Sequence, residues 1–250
     1  MKKSQLIVAL DVETLNEVRI LVEKLGNSVE IYKVGSQLFT ACGPAVVRFI
    51  EAQGKKVFLD LKYHDIPNTV ASAVTAAVNL SVALERNLEA SRRNKISQLG
   101  IFMMTVHTCG GLEMMQAAVE AATKTAKAIN VPKPLLVGVT VLTSVEKNDT
   151  IRSLVLERAA SAKKAGLDGV VASVDEAKAI REKFGNDFVI VTPGIRPSGA
   201  DAQDQQRIAT PKMAVQSGSN YLVVGRPIVQ AADPVKAAIQ ILEEMDSNKK

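Results

Sequence analysis

The sequence has no tryptophan, and aromatic residues make up only 4% of it. Any core must therefore be aliphatic. Only two cysteines are present, Cys42 and Cys109. That is too few for a disulfide frame, and they read as buried, inert thiols of a reducing compartment. No apolar run is long enough to span a bilayer, and Met1-Lys-Lys-Ser-Gln leads straight into a strand-like run with no signal-peptide pattern. These absences point to a soluble, cytoplasmic protein with no membrane partner. Low-complexity and linker-like stretches are also missing, so residues 1–250 read as a single domain. Charge of one sign is not in strong excess: 31 Lys and Arg against 26 Asp and Glu give a net +5. Such a balance slightly favours small anionic ligands. Without an aromatic and basic stripe it gives no case for nucleic acid as a partner.

What the chain does have is rhythm. Eight apolar runs alternate with amphipathic stretches: 6–10, 31–35, 56–60, 101–106, 135–141, 169–173, 188–192 and 221–225. Each is apolar almost throughout, as in parallel strands covered on both faces. Helical patterns lie between them, among them 16–25, 44–52, 70–80, 112–128, 153–165, 176–183 and 234–244. Eight βα units in 250 residues predict an α/β fold of the (β/α)₈ TIM-barrel type. A doubly wound open sheet is the alternative, but no Gly-x-Gly-x-x-Gly follows the first strand. One segment breaks the rhythm. Residues 81–100 exceed what one barrel helix needs, and they are rich in charge and helix formers. They predict an extra helical segment on the face opposite the active site, either a solvated elaboration or a contact arm.

Barrel chemistry sits at the C-terminal ends of strands. Those ends carry Asp11, Lys33, Asp60 with Lys62, His107, Thr143, Ser173, Arg196 and Gly225-Arg226. Asp60 and Lys62 are two apart, so on a strand they share a side, with Leu59 and Leu61 on the other. Buried Asp and Lys are rare unless paired. Asp11, Lys33, Asp60 and Lys62 therefore predict one network. Unit charges ~4 Å apart interact by roughly 4 kcal/mol at an effective dielectric of ~20. Plainer readings exist: Asp11 as a helix N-cap near Thr14 and Glu17, Lys33 as a snorkelling lysine, Asp60 and Lys62 as a structural ion pair.

A second group follows strands seven and eight, where barrels of this type hold phosphate. Thr192-Pro-Gly-Ile-Arg196 and Gly225-Arg226 supply flexible backbone and bidentate guanidinium donors. The polar stretch 200–207 reads as a mobile lid or a plain surface loop. His64 and His107, with Asp11, Asp60 and Asp65, form a conceivable divalent-metal set, but Lys33 and Lys62 would put cations beside the ion. No metal site is expected. His64 reads as structural, and Met103, Met104, Met114 and Met115 as core filling.

The run Asp60-Leu-Lys62-Tyr-His-Asp65-Ile-Pro-Asn-Thr69 resembles the signature of the orotidine 5′-phosphate decarboxylases, in their bacterial form. The likeness continues through Ala9-Leu-Asp11, Lys33-Val-Gly35, Val106-His-Thr-Cys-Gly-Gly111, Leu142-Thr-Ser144, Thr192-Pro-Gly-Ile-Arg196, Asp204-Gln205 and Val224-Gly-Arg226. The long 81–100 connection departs from the family. The resemblance implies a barrel, a homodimer with shared active sites, and conversion of orotidine 5′-phosphate to UMP and CO₂ in pyrimidine synthesis, with no metal and no organic cofactor. It implies Lys62 as proton donor to C6 and Asp60 beside the substrate carboxylate. Lys33 and the partner's Asp65 would complete an alternating array. Asp11 and Lys33 would hold the ribose, Ile66 and Thr69 would come from the partner, and Thr143 would touch the pyrimidine. Arg196, Gln205, Gly225 and Arg226 would hold the phosphate. The residues themselves suit that chemistry. A carbanion on a ring carbon without an electron sink needs a preorganised cation, and Lys62 beside carboxylates supplies one. A sugar-phosphate epimerase or lyase on the same barrel is the alternative, and a basic RNA-binding protein a distant third.

Overall fold

The computed structural model describes residues 3–80, 100–142, 145, 148–197 and 209–246. The expected 81–100 helical segment, apart from Gly100, lies outside these residues, as do Thr143 and Gln205. In chain order the elements are β1 (Gln5–Ala9), α1 (Leu15–Leu25), β2 (Ile31–Gly35), α2 (Ser36–Cys42), α3 (Pro44–Ala52), β3 (Lys56–Tyr63) and α4 (Pro67–Asn79). There follow β4 (Ile101–His107), α5 (Gly111–Ala128), β5 (Leu135–Val139), α6 (Asp149–Lys164), β6 (Gly169–Val171), α7 (Val174–Phe184) and β7 (Val189–Thr192). The last are α8 (Pro211–Gln216), β8 (Tyr221–Val224), α9 (Arg226–Val229) and α10 (Pro234–Asp246). The strands form a closed barrel in sequence order, and β1 pairs in parallel with both β2 and β8. This is a (β/α)₈ TIM barrel.

Alternation along each strand separates two apolar layers. Ile7, Ala9, Ile31, Phe58, Met103, Val137, Val191 and Val223 pack inside the barrel. Val8, Tyr32, Leu59, Met104 and Leu136 face outward onto the helices. The four methionines at 103, 104, 114 and 115 are fully buried, as expected of core filling. Each large aliphatic side chain so buried contributes roughly 1.5–3 kcal/mol. That surplus lets the strand ends carry charges. At the opposite, N-terminal mouth the edge of Phe102 meets Tyr221, ring centroids 5.6 Å apart, with Lys56 Nζ 5.5 Å from the Phe102 centroid.

Local chemistry sets where the helices begin. Thr14 and Glu17 form a reciprocal capping box at the start of α1, satisfying two otherwise orphaned N–H groups. The cap is therefore Thr14 and not Asp11, which is left for other use. Asn148 caps α6 by accepting from Ile151 N–H at 2.9 Å. Ser173 belongs to a second capping box with Glu176, so this strand-end polar residue serves its helix. The short helices α2, α8 and α9 were not anticipated. They have seven, six and four residues, too few to show amphipathic periodicity.

Candidate active site

The charges at the ends of β1, β2 and β3 form a continuous chain. Lys33 Nζ lies 3.2 Å from Asp11 Oδ1 and 3.7 Å from Asp60 Oδ2. Lys62 Nζ lies 2.9 Å from the same Asp60 oxygen. The order is Asp11–Lys33–Asp60–Lys62, with signs alternating. Asp60 and Lys33 are the sheltered members, each with a side chain 12% exposed, while Lys62 reaches the mouth. The snorkelling reading of Lys33 therefore fails: its ammonium bridges two carboxylates under the rim.

The Asp60 and Lys62 side chains do share a face, but not by simple strand alternation. Lys62 has φ of 51°, a left-handed conformation uncommon for a residue with a Cβ. Its N–H donates to Thr105 Oγ1 at 2.8 Å, and that hydroxyl donates to Asp60 Oδ1 at 3.0 Å. Thr105 is fully buried. Sequence reasoning passed over it, because a threonine within an apolar strand is unremarkable.

Below the charges the barrel is apolar. Phe58, Val139, Val171, Val191 and Val223 line a cavity walled on one side by Lys33, Asp60 and Lys62. Its empty volume is about 570 Å³, counting the part open to solvent. Such a space suits a flat, mostly apolar ring with a polar edge toward the ammonium groups.

Across the mouth, Gly225 follows β8 and Arg226 opens α9. A Cβ on Gly225 would lie 2.9 Å from Asp11 Oδ2, so a larger residue there would push the Asp11 carboxylate from its place beside Lys33. Arg196 follows β7 and is only 5% exposed, with Nη1 donating to Ile195 O at 3.0 Å. Ile195 and Ala209 form a parallel bridge. It is closed by Arg196 N–H to Ala209 O at 3.0 Å and Ala209 N–H to Gly194 O at 3.3 Å. Gly194, Ile195 and Arg196 thus meet Ala209 just beyond the end of β7. The 200–207 stretch, expected as lid or surface loop, lies outside the described residues.

Asp65 is not among the members of this charge chain. It is exposed and accepts from Ile66 N–H at 2.6 Å. Ile66 is 66% exposed and Thr69 is exposed beside it. His64 and His107 lie with ring centroids 5.5 Å apart. Burial, then the neighbouring His64, Lys62 and Arg158, hold the His107 pKa below the ordinary histidine value, against a smaller pull from Asp60. One expectation is corrected here. Cys109 is exposed and Cys42 only half-buried. Cys109 sits in a single 3₁₀ turn, Thr108–Gly110, on the barrel rim, its Sγ 3.9 Å from His64 Nε2.

Comparison with known proteins agrees with this geometry. The profile described as the Orotidine 5'-phosphate decarboxylase / HUMPS family matches residues 4–241. An orotidine 5'-phosphate decarboxylase of Moorella thermoacetica is 45% identical over 98% of this chain and 93% of its own length. One of Syntrophotalea carbinolica is 48% identical over 97% and 95%. The crystal structure of orotidine 5'-phosphate decarboxylase from Lactobacillus acidophilus superposes with a TM-score of 0.78 at 36% identity, covering 97% of this chain and 99% of that one. Among the described residues no helix is long and apolar enough to cross a membrane. With the profile spanning nearly the whole barrel and both relatives matching over more than nine-tenths of each chain, this chain belongs to the orotidine 5'-phosphate decarboxylase / HUMPS family.

Proposed function

We propose that this protein decarboxylates orotidine 5′-phosphate to UMP and CO₂ in pyrimidine synthesis, using side chains alone. The observation that carries the reading is the alternating chain Asp11–Lys33–Asp60–Lys62 above an apolar cavity. The bond from C6 to the carboxylate breaks, CO₂ leaves, and the electron pair stays on C6. Lys62 Nζ faces that developing charge, stabilises it and gives it a proton, then regains one from solvent. A fixed cation in a partly dry site is worth far more than one in water, because it need not reorganise as charge develops. Lys33 ties Asp60 to Asp11, so it aligns the array and leaves Asp11 placed for ribose hydroxyls. Asp60 would lie against the substrate carboxylate.

The phosphate would be held by Gly225, Arg226 and Arg196, with Gln205 as a further phosphate contact, and Thr143 would contact the pyrimidine. Binding energy from this remote group can order the site before the bond breaks. Arg226→Ala should therefore weaken binding of UMP and of the substrate by roughly 10- to 150-fold, the range for a hydrogen bond to a charged group. Affinity for uridine, which lacks the phosphate, should barely change. Equal loss for both ligands would remove Arg226 from the phosphate site.

We further propose a homodimer in which Asp65, Ile66 and Thr69 serve the partner's cavity. Support comes from the exposed Ile66 and from an Asp65 that turns away from its own charge chain. The protein would work in the cytoplasm as one barrel domain, and recovery in a washed membrane fraction would count against that.

The direct test is a spectrophotometric assay with orotidine 5′-phosphate, with and without chelator. Chelator-insensitive turnover is expected. Inactivity toward this substrate, together with borohydride trapping of a ketose phosphate on Lys62, would favour a sugar-phosphate lyase. The pairing of Lys62 with Asp60 speaks against that route, since a Schiff-base lysine works as a free amine.

A further inference from the structure

We infer that Thr105 is a positioning residue for decarboxylation: its single hydroxyl fixes the Asp60 carboxylate and the left-handed backbone of Lys62 together, and so aims the Lys62 ammonium. The inference rests on the proposed role of the Asp60 and Lys62 pair.

The argument starts with register. Leu59 of β3 pairs with Met104 of β4, and Tyr63 pairs with Val106. Over that interval β3 advances four residues while β4 advances two. Asp60, Leu61 and Lys62 thus face a single residue, Thr105. This is a bulge, the device by which strands re-aim a side chain beside an active site. Here it costs Lys62 a left-handed φ, a conformation that persists only when the surroundings impose it. The one other non-glycine residue with positive φ among the described residues is Asn130, two residues past the end of α5, an ordinary place for it.

Thr105 supplies the imposition. An N–H turned out of the strand ladder in a half-buried place needs an acceptor, and Lys62 N–H finds Thr105 Oγ1 at 2.8 Å. A hydroxyl has one proton to give. With its oxygen accepting from Lys62, that proton goes to Asp60 Oδ1, 3.0 Å away. Asp60 Oδ2 is then left to Lys62 Nζ at 2.9 Å and Lys33 Nζ at 3.7 Å. Both carboxylate oxygens are committed, so the plane of Asp60 is fixed. The threonine is β-branched and stiff at χ1, and it is fully buried, so water cannot easily stand in for its hydroxyl. The contacts along the chain Asp11–Lys33–Asp60–Lys62 run from charge to charge. Thr105 is the neutral peg that touches both the backbone and the carboxylate of the reacting pair.

Thr105→Val keeps the shape and removes the hydroxyl, while Thr105→Ser keeps the hydroxyl and removes a methyl. The valine variant should lose roughly ten- to a hundredfold in kcat, the scale of a lost hydrogen bond to a charged group. KM should hardly move, because the phosphate end is untouched. The serine variant should recover most of the loss. In crystal structures of the two variants, Lys62 should leave the left-handed region, or Asp60 turn from Lys62, with valine but not with serine. Wild-type kcat and unchanged Lys62 geometry in Thr105→Val would overturn the inference. So would a serine variant as slow as the valine one. If the valine variant does not fold, the serine variant decides alone: near-normal kcat supports the peg, and a large loss with a normal melting curve refutes it. A wild-type protein inactive on orotidine 5′-phosphate would defeat the functional reading, yet the two crystal structures would still show whether the hydroxyl holds Lys62.

Discussion

Replacing Lys62 with alanine should abolish decarboxylation while leaving a folded protein that still binds UMP. Two functions leave together. Positioned proton transfer contributes about 10²–10⁴, and a preorganised charge at a developing anion about 10²–10³. Their product puts the loss in kcat at roughly 10⁴–10⁷. Folding should survive, because Asp60 keeps Lys33 as a partner at 3.7 Å and Thr105 at 3.0 Å. Lys62 itself reaches the open mouth, so its removal leaves no buried cavity. Binding of UMP should survive as well, since the proposed phosphate grip lies on β7 and β8. Steady-state turnover beside a UMP titration checks both halves. Turnover within tenfold of wild type would end the role given to Lys62.

Mixing that inactive Lys62→Ala chain with an inactive Asp65→Ala chain should bring activity back. In a two-fold symmetric dimer with shared sites, a mixed pair contains one site with both residues intact and one with neither. Random exchange makes half the dimers mixed, so recovery should reach about a quarter of wild-type activity per site. Against the baseline of either parent this is a gain of several powers of ten. The exchange must be proved separately, for instance with two affinity tags. Proven exchange without recovery would place Asp65 in its own subunit's site or outside catalysis.

Much of this was legible in the residues, and the reasons differ from place to place. The strands could be read because parallel barrel strands are covered on both faces and become short apolar blocks. Asp60 and Lys62 stood out because a carboxylate and an ammonium two apart at a strand end are costly unless used. Lys33 and Asp11 joined them through topology alone, since consecutive strands place their ends side by side. Thr105 could not be read in that way. Its chemistry depends on a bulge in the neighbouring strand, and no glycine marks where Lys62 turns left-handed. Cys109 was misjudged as buried because composition says where thiols usually go, not that this one falls in a one-turn helix on the rim. Thr143 and Gln205 lie outside the described residues, and their roles rest on the resemblance alone.

The bulge between Leu59 and Tyr63 has a consequence for how this strand tolerates change. The surplus on β3 is two residues, an even number. Parity is therefore preserved: Leu59 and Tyr63 both face the helix layer, as do their partners Met104 and Val106. The strand spends its surplus on one additional inward position, so that two charged side chains stand where a regular ladder would hold one. A single-residue deletion here would leave an odd surplus with room for one inward charge, which the ladder would have to take up as it already does between Val57 and Phe58, where β4 carries one extra residue. Asp60 and Lys62 are in that sense a unit of length as well as of charge: the second inward position exists only while the two-residue surplus does.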